Sequence, residues 1–172
     1  MVSHPQSLTS EHDLTHFDCG KEPLNSWLKK HALQSPQSGQ SKTMVVTEAS
    51  DSKIVVGYCS YNVVSVEHTD STPERVKKGL ARHPIPIFLI ARLARDKKYK
   101  GVELGRRLLR HALKRAASIS DLVPIRAIVV DAIDERAIEF YSDFDFEPFP
   151  ADSLRMWLLL KDLLKTIKFV EK

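Results

Sequence analysis

Residues Tyr99 to Leu109 read YKGVELGRRLL. Upstream, Ile85 to Ala94 (IPIFLIARLA) is apolar and rich in strand formers, with its proline confined to the start, where ladder donors matter least. Downstream, Leu104, Leu108, Leu109, Ala112, Leu113 and Ala116 recur at the spacing of one helical face. The stretch is therefore a glycine-containing turn between a strand and a helix with a basic first turn. Unpaired N–H groups, the helix dipole and two arginines converge there, which suits a phosphate. One residue does not fit. Loops that cradle a pyrophosphate usually carry glycine where the ligand comes closest, because a missing side chain lets backbone N–H groups reach the oxygens; here Glu103 intrudes.

Working outward, apolar residues at 24, 27, 28 and 32 predict a helix through Leu33, with Pro23 in a first turn that tolerates it. The polar run 34–41, QSPQSGQS, is a loop. Residues 43–47 and 54–66 form an antiparallel hairpin about Ser50 to Lys53. A short helix is expected from Pro73 to Leu80, a strand from Ile125 to Val130, a helix from Asp134, its cap, to Ser142, and a last strand from Leu154 to Leu160. This order predicts an α/β fold on a mixed sheet. Neither repeats nor a linker interrupt it, so residues 1–172 are expected to form one domain.

Composition is that of a globular protein, 42% hydrophobic and 28% charged. No apolar run approaches the roughly 18 residues of a membrane span, and MVSHPQSLTSEHD lacks the pattern of a signal peptide, so a cytoplasmic chain with no membrane partner is expected. Cys19 and Cys59 fit a reducing compartment, and the histidines show no metal-ligand spacing, so no metal is expected. The net charge is only +4, but basic residues gather in three places: Lys29, Lys30 and His31; Arg75, Lys77, Lys78, Arg82 and His83; and Arg106, Arg107, Arg110, Lys114 and Arg115. Any one of these is ordinarily a solvated face; three together point to an anionic partner, a nucleotide or RNA.

Leu93-Ala94-Arg95-Asp96 leading into the turn, with Phe140 to Phe146 (FYSDFDF) after the next strand, resembles the acetyl-CoA site and following helix of a GNAT-fold N-acetyltransferase. The family turn, Gln/Arg-x-x-Gly-x-Gly/Ala, falls on Lys100, Gly101, Val102, Glu103, Leu104 and Gly105. Phe17-Asp18-Cys19-Gly20 with Leu24, Trp27 and Leu28, then Gly57-Tyr58, then Pro84-Ile85-Pro86 leading to Arg92-Leu93-Ala94, is similar to one branch. That branch comprises the acetyltransferase toxins of type II toxin–antitoxin modules, which acetylate the amino acid on charged tRNA and halt translation. The resemblance implies a central mixed, mostly antiparallel sheet flanked by helices, acetyl-CoA as cofactor, an aminoacyl-tRNA substrate, a homodimer and a ribbon-helix-helix antitoxin. It implies that Tyr141 lies near the cofactor sulfur and Arg92 near the active site. Leu93, Ala94 and Arg95 would offer backbone groups to the thioester and pantetheine arm, Lys100 through Arg106 would hold the pyrophosphate, and Lys29, Lys30, Lys77, Lys78 and Arg82 would contact tRNA phosphates.

Acetyl transfer needs a neutral amine and a proton for the departing thiolate. A phenol with a pKa of about 10 can supply the proton. No Glu or His stands in a motif as general base. An α-amine titrating at about 7.7–8.0, lowered further by an adjacent ester, needs none, whereas a lysine amine at about 10.4 would; this favours charged tRNA over protein lysines. Glu103 and Asp145 replace family glycines by acids and are expected to reduce activity. Glu103 has a benign role open to it, favouring the helix dipole and pairing with Arg106 or Arg107. Glu103→Gly is expected to tighten acetyl-CoA but lower thermal stability slightly, because glycine is a poor helix former. An acetyltransferase for small amines or protein N-termini fits the same motif. A GNAT-fold protein that acts by binding antitoxin or RNA is the non-enzymatic alternative.

Overall fold

In the computed structural model residues 1–101 and 103–170 are described; Val102, expected in the turn, lies outside them. The strands are β1 (Gln6–Ser7), β2 (Lys42–Thr47), β3 (Val55–Val66), β4 (Ile85–Arg95), β5 (Ala127–Asp131), β6 (Glu147–Pro148) and β7 (Arg155–Leu159). They run in the order β1-β2-β3-β4-β5-β7-β6. Of the pairings β1–β2, β2–β3, β4–β5, β5–β7 and β6–β7, only β4–β5 is parallel, so the sheet is mixed and mostly antiparallel as expected. The helices are α1 (Glu22–Lys30), α2 (Glu74–Lys77), α3 (Leu104–Ser120), α4 (Glu135–Ser142) and α5 (Leu160–Val170), with a 3₁₀ turn at Lys97–Tyr99.

The chain divides into two compact units, the first comprising Met1–Asn62 and Ala91–Ala112. Its core gathers Phe17, Leu28, Ala32, Val45, Val55, Tyr58 and Ala94. α1 begins with Pro23 in its first turn and turns Asn25 and Leu28 inward, and the buried Tyr58 hydroxyl donates to the Leu24 carbonyl at 2.8 Å. Gly57 is required by close approach: a Cβ there would sit 3.1 Å from both Leu104 Cδ2 and Leu108 Cδ1. The missing side chain on β3 thus lets the start of α3 lie against the strand.

The second unit comprises Val63–Ile90 and Leu113–Lys172. Here Ile87 to Ile90 of β4 pair with Ala127 to Val130 of β5, and Val66, Val76, Ile85, Ile87, Ala127, Val129, Trp157 and Leu159 form the core. The helix expected over 73–80 is a single turn, Glu74–Lys77, because Gly79 adopts φ 77° just beyond it. The last strand ends at Leu159 rather than Leu160; Leu160, Leu163, Leu164 and Ile167 instead carry the helical period of α5, which the sequence reading did not predict. β1 and β6 were also unpredicted, since two residues cannot display a period of two.

Candidate functional site

The candidate residues after β3 are held in order by the end of β4. Leu93 and Arg95 are half-buried and Ala94 is buried. Asp96 follows, 5% exposed, and its Oδ1 accepts from the Lys98 amide at 2.9 Å, capping the 3₁₀ turn. Lys100 is exposed, and Gly101 takes φ 88° with open space where a Cβ would lie. Glu103 is also left-handed, φ 52°, and its carbonyl accepts from the Arg107 amide at 3.0 Å. The first amides of α3 therefore precede the helix's hydrogen-bond ladder. Leu104 is buried, while Gly105 and Arg106 are half-buried.

Among the described residues Glu103 pairs with Arg110 rather than with the Arg106 or Arg107 expected from the sequence. Its carboxylate reaches along α3 to Arg110, 4.0 Å away, with both side chains more than half exposed. Arg107 instead donates to the Ser3 carbonyl at 3.2 Å. Glu103 and Asp145, φ 65°, are the non-glycine residues at positive φ among the described residues. They are also the two positions at which the sequence places an acid where the family pattern has glycine.

Arg92 lies face-on to Trp27, its guanidinium carbon 4.1 Å from the ring centroid. Trp27 in turn stacks on Tyr58, with centroids 6.0 Å apart and planes 16° from parallel. Burial lowers the Arg92 pKa, the nearby Tyr58 acting in the opposite sense. Among the described residues no carboxylate pairs with Arg92. Lys29 and Lys30 project from the last turn of α1 and are exposed.

In the second unit, Asp134 caps α4 by accepting from the Ala137 amide at 2.9 Å, and Tyr141 on that helix is buried, 5.2 Å from the Phe140 ring and 5.7 Å from that of Phe146. Lys78 and Arg82 are exposed. Lys77 is turned inward: its side chain is 12% exposed, 2.9 Å from the Glu74 carboxylate, and donates to the Thr69 carbonyl at 3.0 Å. Arg75 is held 2.8 Å from Asp162. Arg126 fixes this basic segment from beneath, donating to the carbonyls of Val76, Lys78 and Arg75 at 2.7, 3.0 and 3.2 Å.

Residues 8–146 of the chain match the acetyltransferase (GNAT) family. The chain belongs to that family. It is similar to a "tRNA-acetylating toxin" of Mycobacterium tuberculosis, with 38% identity over 160 residues and 93% of each chain covered. Its fold is shared by AtaT complexed with acetyl-methionyl-tRNAfMet, at a TM-score of 0.85, 24% identity and full coverage of both chains. It is shared too by a mutant AtaT toxin bound to the C-terminus of the antitoxin AtaR and acetyl-CoA, at a TM-score of 0.82 and 24% identity, covering 96% of this chain and 98% of that one.

For a GNAT acetyltransferase the first unit carries the parts that suit acetyl-CoA. Gly101 leaves room for a ligand to approach the backbone, a 17-residue helix whose dipole favours an anion begins just beyond it, and the Glu103 carboxylate lies toward Arg110. The residues present fit the group. The first unit brings together Arg92, Leu93, Ala94, Arg95, Lys100, Gly101, Glu103, Leu104, Gly105 and Arg106 with Lys29 and Lys30; Tyr141, Lys77, Lys78 and Arg82 belong to the second. Sequence reasoning passed over Asp96 and Arg126 as organisers. Asp96 had a legible signal, an aspartate directly before a turn whose amide it can cap; Arg126 had none, since its partners are backbone carbonyls distant in sequence.

Proposed function

We propose that this chain is a toxin acetyltransferase that moves an acetyl group from acetyl-CoA to the α-amine of aminoacyl-tRNA and thereby blocks translation. The observation that carries the reading is the β4–turn–α3 segment, with Gly101 open to a ligand just ahead of a 17-residue helix, in a chain 38% identical to a tRNA-acetylating toxin. When bound, acetyl-CoA supplies an acetyl group activated as a thioester.

The chain's own residues do the rest. Arg92, stacked on Trp27 with its N–H groups unspent on carboxylates, is placed to hold an oxygen of the substrate. Tyr141 holds the proton that the departing sulfur takes as the C–S bond breaks and the N–C bond forms, and the amine's surplus proton passes to water. An aminoacyl ester amine is already largely neutral near pH 7, so no general base is required of the chain. Exposed Lys29, Lys30, Lys78 and Arg82 contact tRNA phosphates. The partner that silences it is an antitoxin of ribbon-helix-helix type, the active form is a homodimer, and the compartment is the cytoplasm.

The test is incubation of the purified chain with acetyl-CoA and a panel of charged tRNAs, followed by mass spectrometry of the released aminoacyl adenosine. An N-acetylaminoacyl product from one or a few tRNAs is expected. Acetylation of free amines or peptide N-termini with charged tRNA left untouched overturns the tRNA reading in favour of a small-amine enzyme.

A further inference from the structure

The turn that begins the acetyl-CoA site is short, irregular and exposed, and little of it belongs to the sheet. What holds it comes from the N-terminal segment. Asp18 engages Lys97 twice: its carbonyl accepts from the Lys97 amide at 2.9 Å and its Oδ2 lies 2.5 Å from Lys97 Nζ. Asp96 returns the contact, its Oδ2 accepting from the Asp18 amide at 3.0 Å while its Oδ1 caps the turn. The other Asp18 oxygen accepts from the Gly20 amide at 2.8 Å and from Asn25 Nδ2 at 3.0 Å, and Asn25 Oδ1 accepts from the Cys19 amide at 2.9 Å. Asn25 is buried on α1, so the chain of bonds runs from a packed helix to the turn. Gly20, at φ 79°, supplies the bend that brings its own amide back to Asp18. At the far side Tyr99 donates its phenol to Glu48 at 2.6 Å.

We propose that Asp18, with Asn25 and Asp96, is a positioning group for the acetyl-CoA turn, so that the Phe17-Asp18-Cys19-Gly20 segment acts on cofactor affinity rather than on tRNA. This rests on the acetyl-CoA reading above. Charge-assisted bonds from a carboxylate to amides are among the stronger contacts available to a loop, and a binding loop held in its bound shape loses less entropy when the ligand arrives. Lys97 beside it, with the Gly20 amide and Asn25, holds the Asp18 carboxyl far below the usual carboxylate range, consistent with an ionised Asp18 in the working protein. Asp18 and Lys97 are both partly exposed, so as a lone surface pair they would contribute little to global stability; their effect is local order at Lys97 to Gly101.

The variants are Lys97→Met, which removes only the ammonium, Asp18→Asn, and Asp18→Glu. Amide hydrogen exchange is measured across residues 97–101 in the ligand-free chain, acetyl-CoA affinity by calorimetry, and the tRNA KM at saturating acetyl-CoA. The expected result for Lys97→Met and Asp18→Asn is a folded protein with faster exchange confined to the turn, acetyl-CoA affinity weakened roughly five- to tenfold, and the tRNA KM unmoved, with Asp18→Glu recovering part of the affinity. Folded variants with parental exchange and parental acetyl-CoA affinity overturn the positioning role. A parent chain that fails to bind acetyl-CoA instead overturns the acetyltransferase reading on which the proposal stands.

Discussion

Arg92 sits 4.1 Å above the Trp27 ring, and the stack continues through Trp27 onto Tyr58, whose hydroxyl is tied to the Leu24 carbonyl. The stack presents a guanidinium that has given up part of its hydration, which lowers its pKa, without gaining a carboxylate among the described residues. A cation in that state is held by the ring face and, on the proposed reading, by a substrate oxygen.

Trp27→Leu keeps α1 amphipathic but removes the π face. Cation–π contacts contribute about 0.5–2 kcal/mol, so kcat/KM for acetyl transfer is expected to fall about two- to thirtyfold while the melting temperature moves little. Arg92→Lys should fall at least as far, because an ammonium cannot stack as a plane or offer a fork of donors. Steady-state kinetics on both variants check this; parental kcat/KM in Trp27→Leu would show that the stack only fills space.

Tyr141→Phe removes one hydroxyl from a buried ring packed near Phe140 and Phe146, so the fold should persist. If the phenol protonates the leaving thiolate, kcat falls about 10²- to 10⁴-fold with acetyl-CoA affinity almost unchanged. Single-turnover acetylation set beside calorimetry separates the two effects, and full turnover in Tyr141→Phe would exclude the residue from the chemistry.

The elements that carry the candidate site were legible in the sequence because they are periodic: β4, α3 and α4 announce themselves by apolar spacing, and Asp134 caps α4 as read. The bracing did not show, because Asp18 meets Lys97 and Arg126 meets Val76 across wide gaps in the chain, and hydrogen bonds to backbone leave no pattern in side-chain identity. Lys77 read like its basic neighbours because the Thr69 carbonyl that holds it inward leaves no mark in the sequence, although the i,i+3 pair with Glu74 was open to reading. Glu103 and Asp145 stood out in the sequence as acids at family glycines; that both take a left-handed backbone is what the structure adds.

That difference among the lysines predicts a split result. Reversing the charge of Lys29, Lys30, Lys78 or Arg82 should weaken tRNA binding and reduce the slope of log K against log salt by about 0.7–0.9 for each phosphate that is no longer neutralised. Lys77→Glu should leave the slope unchanged and lower stability instead, by placing a carboxylate beside Glu74 and against the Thr69 carbonyl. Filter binding at several salt concentrations reads both effects; equal slopes for Lys77 and Lys78 variants would show that the inward contact does not persist in solution.

Gly57→Ala tests how α3 is seated. The added methyl meets two leucine side-chain carbons at 3.1 Å, so Leu104 and Leu108 must shift or the start of α3 must lift. Overpacking of this kind costs about 1–3 kcal/mol, and the melting temperature should drop by several degrees. Because Leu104 opens α3, acetyl-CoA affinity should fall together with stability. Thermal melts with and without acetyl-CoA measure both, and an unchanged melting point would mean that the leucines repack freely.

Glu103 can now be weighed between charge and backbone. Its carboxylate is exposed and lies toward Arg110, so solvent and the arginine both screen it, and screened surface charges interact by about 1 kcal/mol or less. Glu103→Gln should therefore change acetyl-CoA affinity by less than about fivefold, far from the loss expected if the charge lay on the pyrophosphate. The backbone acts on stability instead. At φ 52° a side chain is strained and glycine is not, so Glu103→Gly should raise stability by about 1 kcal/mol, a gain of about 2–4 °C in melting temperature. This reverses the sign expected from helix propensity, because the residue stands just before α3 in a left-handed conformation where propensity scales do not apply. Calorimetric melting and acetyl-CoA titration of the two variants decide the matter: a stabilised Glu103→Gly with near-parental affinity is the expected outcome, whereas a destabilised variant that binds acetyl-CoA tenfold or more tightly would place the parental carboxylate in the path of the phosphates.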